Sequence, residues 1–314
     1  AAWYPWILWS INSMFSARDL RGQLRHAALN MFFVFSLLTA GYLYYAYYAL
    51  FLFPPYLLIF FLPALRRKLF GQTGDRKKAL GLFLLSSLVP LLACAPYLAK
   101  VKGLLAQTVD RAGGNFAYSV ANAFGLKDTL GSLVFPPAAQ SEGWYYFGFA
   151  GLLLAAVYFC SKNRKDAGAP NYADAGVKTF FLAWMALLTF ITYGGQSFLF
   201  RALWNWLPGF SSLREWGRLN ILLVPLIGWV LAASYRNFEG LIGSAERKRA
   251  LAAAAWTLAA AFALQAYFTA GGHFHEYWLK YYVQVKLDHM PQSLHFLLLH
   301  LHLNPQRLSQ RVVA

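Results

Sequence analysis

Charge is scarce in this 314-residue chain: Asp, Glu, Lys and Arg together make up 13% of it, and only 12 residues are acidic. Soluble domains carry about twice that share of charge, so the composition points away from a cytosolic globule. Cysteine is almost missing as well. Cys94 and Cys160 are the two present, which excludes a disulfide scaffold and leaves both to be read as small buried hydrophobes. The 24 glycines follow no three-residue period, which excludes collagen. No P-loop, dinucleotide fingerprint, Gly-x-Ser-x-Gly elbow or His-Glu-x-x-His helix occurs, so the enzyme classes they mark have no support. No secretory leader precedes the first apolar residues, and the chain starts Ala1-Ala2-Trp3-Tyr4 without a Met, from which an upstream part is expected.

Apolar residues are abundant, at 59% of the chain, with 18% aromatic. A membrane span needs roughly 20 apolar residues, and such stretches fall near 2–15, 27–45, 46–65, 79–99, 144–160, 177–194, 219–235 and 250–270. The expected fold is therefore all-α, a polytopic bundle of about eight membrane helices over residues 1–270 with two substantial outer loops. Residues 271–314 read as an outer amphipathic tail. That tail holds six of the seven histidines, His273, His275, His289, His295, His300 and His302. Residues two apart diverge on a helix and no zinc spacing accompanies them, so no metal site is expected there.

Basic residues alternate between loops. Arg18, Arg21 and Arg25 form one group, and Arg66, Arg67, Lys68, Arg76, Lys77 and Lys78 the next. Lys162, Arg164, Lys165 and Lys178 follow, then Arg236, Arg247, Lys248 and Arg249, so that three, six, four and four residues account for 17 of the 28. By the positive-inside rule these loops face the cytoplasm, and 100–143, 195–218, the tail and the N-terminus lie outside. The six-charge loop is cytoplasmic only if 27–65 crosses twice. Pro54-Pro55 then falls inside the second crossing, where neighbouring helices must satisfy the lost backbone bonds. The +16 net charge is thus topogenic; membrane lipids are expected partners and nucleic acid is not.

In the outer loops, Asp128 is suited to cap a short helix ended by Pro136-Pro137, and Glu142 stands before Gly143-Trp144-Tyr145. The segment Phe198–Phe210, aromatic with the single cation Arg201, suits a short helix at headgroup level. Directly before a span, Arg214 and Arg218 are four residues apart and would share a helix face, a paired site for phosphate unless Glu215 neutralises one of them.

The order of landmarks carries a resemblance. Pro5-Trp6 before a basic loop, then "LTAGYLYYAYYALFL", "DTLGSLVFPP" with "GWYYFGFAGLLL", "ITYGG" and "LPGFSSLREWGRLNILLVPLIGWVLAA" resemble the later spans of bacterial YfhO-like integral-membrane glycosyltransferases of the GT-C superfamily, over most of residues 3–235. The resemblance implies a location in the bacterial inner membrane and transfer of a sugar from a polyprenyl-phosphate carrier to a cell-envelope glycan or lipid acceptor. Arg214 and Arg218, with Arg201, would hold the carrier phosphate. Asp128, Glu142 and Glu215 would be the candidate carboxylates, with sugar or divalent-cation contacts at the first two. The superfamily's own catalytic carboxylate loop has no counterpart here and is expected upstream. A transporter or lipid flippase, or a non-catalytic subunit of an envelope-assembly complex, are the other classes a bundle of this kind serves.

Overall fold

The computed structural model describes residues 2–41, 43–70, 74–107, 114–134, 143, 145–160, 174–241 and 247–270. Every regular element among them is helical. In an apolar medium the backbone must satisfy its own hydrogen bonds, and a single helix does that without a partner.

Four helices are long and apolar enough to cross a membrane: α3 (Leu43–Phe61), α10 (Ala175–Thr192), α12 (Leu223–Leu241) together with the 3-10 turn Trp216–Leu222 that leads into it, and α13 (Arg247–Ala270). The remaining stretches are shorter or broken. The first lies in α1 (Tyr4–Ser16), 13 residues that include Ser10, Asn12 and Ser13. The second lies in α2 (Leu20–Thr39), which starts early enough to take in Arg21, Gln23 and Arg25. The stretch 79–99 divides into α5 (Arg76–Ala93) and α6 (Ala95–Ala106), bent by 56° at Cys94. That around 144–160 is the 13-residue α9 (Gly148–Cys160). Counting the bent pair as one span brings the number of candidate crossings to five, fewer than the eight apolar stretches. Cys94 is buried as expected, but Cys160 ends α9 exposed.

Residues 27–65 do form two helices about Gly41, which takes a left-handed φ of +82° between the end of α2 at Thr39 and the start of α3 at Leu43, but of the two it is α3 that is long and apolar enough to cross. The helix α3 runs on through Pro54 and Pro55. Short helices fill the connections: α4 (Pro63–Leu69), α7 (Phe116–Val120), α8 (Leu126–Gly131) and α11 (Phe198–Trp206).

Buried residues of α1, α3, α10 and the 216–222 turn make one core, with Tyr4, Ile11, Phe15, Tyr48, Leu52, Phe60, Leu188, Trp216 and Leu219 sealed within it. A polar seam ties α1, α2 and α5 together. Ser10 donates to the Asn30 carboxamide oxygen at 3.0 Å, and the Asn30 amide donates to Ser86 at 2.8 Å and Ser87 at 3.3 Å. Buried amide and hydroxyl pairs of this kind hold helices in register where apolar packing alone gives little preference. The outward face of α5 is the reverse: Leu84, Leu85, Leu88, Leu91 and Leu92 are 45–62% exposed, a surface suited to lipid rather than water.

Helices α1, α3 and α10 run between two sets of loops. At one end the Gly74 amide donates to the Phe15 carbonyl (3.0 Å), Gln23 reaches the Asp75 carbonyl (3.3 Å), and Lys68 pairs with Asp174 at 2.7 Å. Three acidic residues cap helices there: Asp19 on α2, Asp75 on α5 and Asp174 on α10. This end gathers the first two basic groups and Lys178. At the other, Tyr4 donates to the Tyr45 carbonyl, Tyr47 to that of Pro208, and Ser119 to that of Ser211.

Candidate functional site

The second end is built on a turn. Leu207-Pro208-Gly209-Phe210 places proline and glycine at the two central positions that a type II turn prefers, Gly209 has φ 80°, ψ −11°, and the Phe210 amide donates to the Leu207 carbonyl at 3.1 Å. The turn aims Phe210 inward, where its ring stacks on Trp216 at 3.8 Å. Both side chains are fully buried, with Phe200, Tyr48 and Phe51 around the indole. Trp216 is thus the anchor of the segment on either side of it.

Arg214 and Arg218 flank that anchor, but not on one helix face. Leu213, Arg214 and Glu215 are not helical, and the turn that follows is 3-10. Glu215 stands at φ 57°, ψ 49°, a left-handed conformation costing an L-residue about 1–3 kcal/mol unless its surroundings hold it. The result of that kink is convergence. The Arg214 Nε lies 3.5 Å from Glu215 Oε1, and an Arg218 Nη lies 2.5 Å from Glu215 Oε2. One carboxylate therefore joins both guanidiniums, where sequence spacing offered neutralisation of one. Each guanidinium also lies over a tyrosine ring, Arg214 over Tyr118 at 5.2 Å and Arg218 over Tyr44 at 6.0 Å, an attraction that fixes the plane of the fork. Exposure is graded, with side chains 37% exposed for Arg214, 22% for Arg218 and 12% for Glu215.

Arg201 is on α11, its guanidinium 5.3 Å over Phe116 of α7. The helix that carries it is two-faced: Phe198 and Trp206 are each 85% exposed, while Phe200 is sealed inside. Asp128 does serve as a cap, but from inside α8, with its carboxylate accepting from the preceding Gly125 amide at 2.9 Å rather than from the amides after it. Glu142 and the histidine-rich tail lie outside the described residues. Among the described residues no three His, Cys, Asp or Glu side chains gather as a metal site would need.

Two features were not legible beforehand. Gly143 packs its backbone directly against Gly217, so that a Cβ on it would stand 2.0 Å from the Gly217 carbonyl oxygen. This clamps the entry to α9 onto the turn that bears Arg218. Beneath it, α9, α10 and α12 leave an apolar cavity of about 210 Å³ lined by Tyr145, Phe147, Gly151, Met185, Leu223 and Ile227 among others. Leu223 directly follows the arginine-bearing turn. Arg218 and the cavity-lining Leu223 thus lie on one short segment of chain. Comparisons with family models, curated proteins and solved structures return no match.

Proposed function

We propose that this chain is the carrier-binding part of a membrane glycosyltransferase of the GT-C kind, taking a polyprenyl-phosphate-linked sugar and helping to pass it to an envelope glycan or lipid acceptor. The observation that carries the reading is the adjacency just described, with Arg214 and Arg218 at one end of the segment and the apolar cavity beginning at Leu223. The phosphate would lie between the two guanidiniums, Arg201 at the rim, and the first isoprenoid units in the cavity.

In the reaction, an acceptor hydroxyl displaces the carrier phosphate at the sugar's anomeric carbon. The new glycosidic bond forms as the bond to phosphate oxygen breaks, and the hydroxyl proton passes to a carboxylate base. Charge grows on the departing phosphate, and preorganised guanidiniums stabilise it there. Before the carrier binds, the Asp128 carboxylate caps α8 through the Gly125 amide and the Glu215 carboxylate is paired with both arginines.

The test is binding of a short polyprenyl phosphate by the chain in lipid nanodiscs, comparing Arg218→Lys with Arg218→Ala. Lysine keeps the charge but loses the planar fork. Loss of one charge-assisted hydrogen bond costs about 1.5–3 kcal/mol, roughly ten- to a hundredfold in affinity. Equal binding by wild type and both variants would remove the phosphate role.

A further inference from the structure

We propose that the Glu215 carboxylate is a built-in stand-in for the ligand's phosphate, holding the arginine pair in its binding geometry until an incoming anion displaces it. This rests on the phosphate-binding reading above and adds to it the group against which the ligand competes.

Three observations carry the inference. First, the carboxylate is bound as a phosphate would be, one oxygen to each arginine, at 3.5 Å and 2.5 Å; guanidinium forks grip planar carboxylates and phosphates alike. Second, Glu215 reaches that position only through a left-handed backbone at φ 57°, one of two non-glycine residues with positive φ among the described residues. A carboxylate meant simply to neutralise a surface arginine needs no such conformation, since an ordinary helical spacing supplies it. Third, the guanidiniums keep a second support when the carboxylate leaves, because Tyr118 and Tyr44 underlie them. Trp216, fully buried, and the Arg218 amide bonded to the Glu215 carbonyl at 3.0 Å hold the backbone on the C-terminal side. Swinging the Glu215 side chain outward therefore opens the pair without dismantling it.

The consequence is an affinity set by competition. A ligand must offer more than one carboxylate does, which the departing carrier phosphate, a monoester with a second charge and three free oxygens, satisfies. The sugar-linked carrier is a diester whose single charge only matches the resident carboxylate until its bond to the sugar breaks. The pair would thus reject fatty acids, whose headgroup matches the resident carboxylate, and accept phosphomonoesters.

The experiment measures binding of farnesyl phosphate, and of palmitate as the carboxylate probe, to the chain in zwitterionic nanodiscs. Wild type is compared with Glu215→Gln and Glu215→Gly, the second chosen because glycine accepts φ 57° and keeps the turn foldable. Both variants should bind farnesyl phosphate at least about tenfold more tightly than wild type, the equivalent of one charge-assisted hydrogen bond no longer contested. Both should also acquire palmitate binding. Farnesyl phosphate binding that is unchanged or weakened in both variants, with wild type still binding, would overturn the stand-in role alone. Absence of binding in wild type and both variants would overturn the phosphate site itself, and the stand-in with it.

Discussion

Trp184 donates its indole N–H to the backbone carbonyl of Phe51 at 3.0 Å, across from α10 to α3. In an uninterrupted helix that carbonyl would accept from residue 55, but residue 55 is proline and has no N–H to give. A neighbouring helix supplies the missing donor.

Trp184→Phe keeps the ring and removes the donor. It is expected to destabilise the bundle by about 1–3 kcal/mol, the cost of a buried carbonyl left unpaired. Pro55→Ala restores the intrahelical bond, so in that background the same Trp184→Phe change should cost much less. Reversible unfolding in mixed micelles of the four proteins in the cycle measures the difference; equal costs in both backgrounds would show that the indole acts only by packing.

Gly143→Ala places a methyl group 2.0 Å from the Gly217 carbonyl oxygen at a residue whose φ is +105°. Both the clash and the backbone conformation oppose it, and a loss of about 2–4 kcal/mol or a displaced 143–147 segment is expected. Because that segment covers the turn bearing Arg218, farnesyl phosphate binding should fall with it. Gly81→Ala, where an added Cβ meets nothing within 4 Å, is the matched control and should be close to neutral.

The Lys68–Asp174 pair gives the bundle a pH dependence of known sign. Burial raises the Asp174 pKa, but the Lys68 ammonium and the Gly176 and Val177 amides bonded to the carboxylate outweigh it, and the group sits below its usual value. A carboxyl depressed in the folded state contributes its full stability above the unfolded pKa of about 3.9 and loses it as pH falls through the folded value. Between neutral pH and pH 3, unfolding free energy should therefore decline more steeply for wild type than for Asp174→Asn. At neutral pH the variant should already be weaker by about 1–2 kcal/mol through the cap and the ion pair.

The charge alternation predicts a sidedness that labelling can check. With Cys160 replaced by serine and Cys94 buried, a cysteine at exposed Asn205 should react with an impermeant maleimide in intact cells, and one at exposed Arg67 only after lysis. The reverse pattern would invert the bundle and put the arginine cluster on the cytoplasmic face.

The long apolar helices, the break near Gly41 and the need for an outside donor at the proline pair were readable from the sequence because each follows from local composition or from the count of charges. Segment length was less so. A hydropathy run adds residues without regard to where the axis turns, so the 56° bend at Cys94 stayed invisible. Asn30, a polar residue in an apolar run, gave no sign that Ser10, Ser86 and Ser87 would meet it, since those partners come from two other helices. Spacing brought Arg214 and Arg218 together for a reason that does not hold, a shared α-helical face. They meet because Glu215 turns left-handed and binds both, and nothing local marks a glutamate for that conformation. The tyrosines under the guanidiniums come from α3 and α7, far off in sequence.

The pairing of α9 with α13, whose Phe149 and Phe262 rings meet at 5.6 Å, sets two unequal rods side by side. Thirteen residues rise about 20 Å and twenty-four about 36 Å, against a hydrocarbon layer of roughly 30 Å. No single bilayer thickness suits both. With both helices in a bilayer, α13 would lean while the acyl chains beside the described length of α9 were compressed, and each additional methylene in the lipid would add to the mismatch at α9 as it relieved that at α13. The flank that borders the apolar cavity is thereby the part of the bundle on which a change of membrane thickness would bear most unevenly.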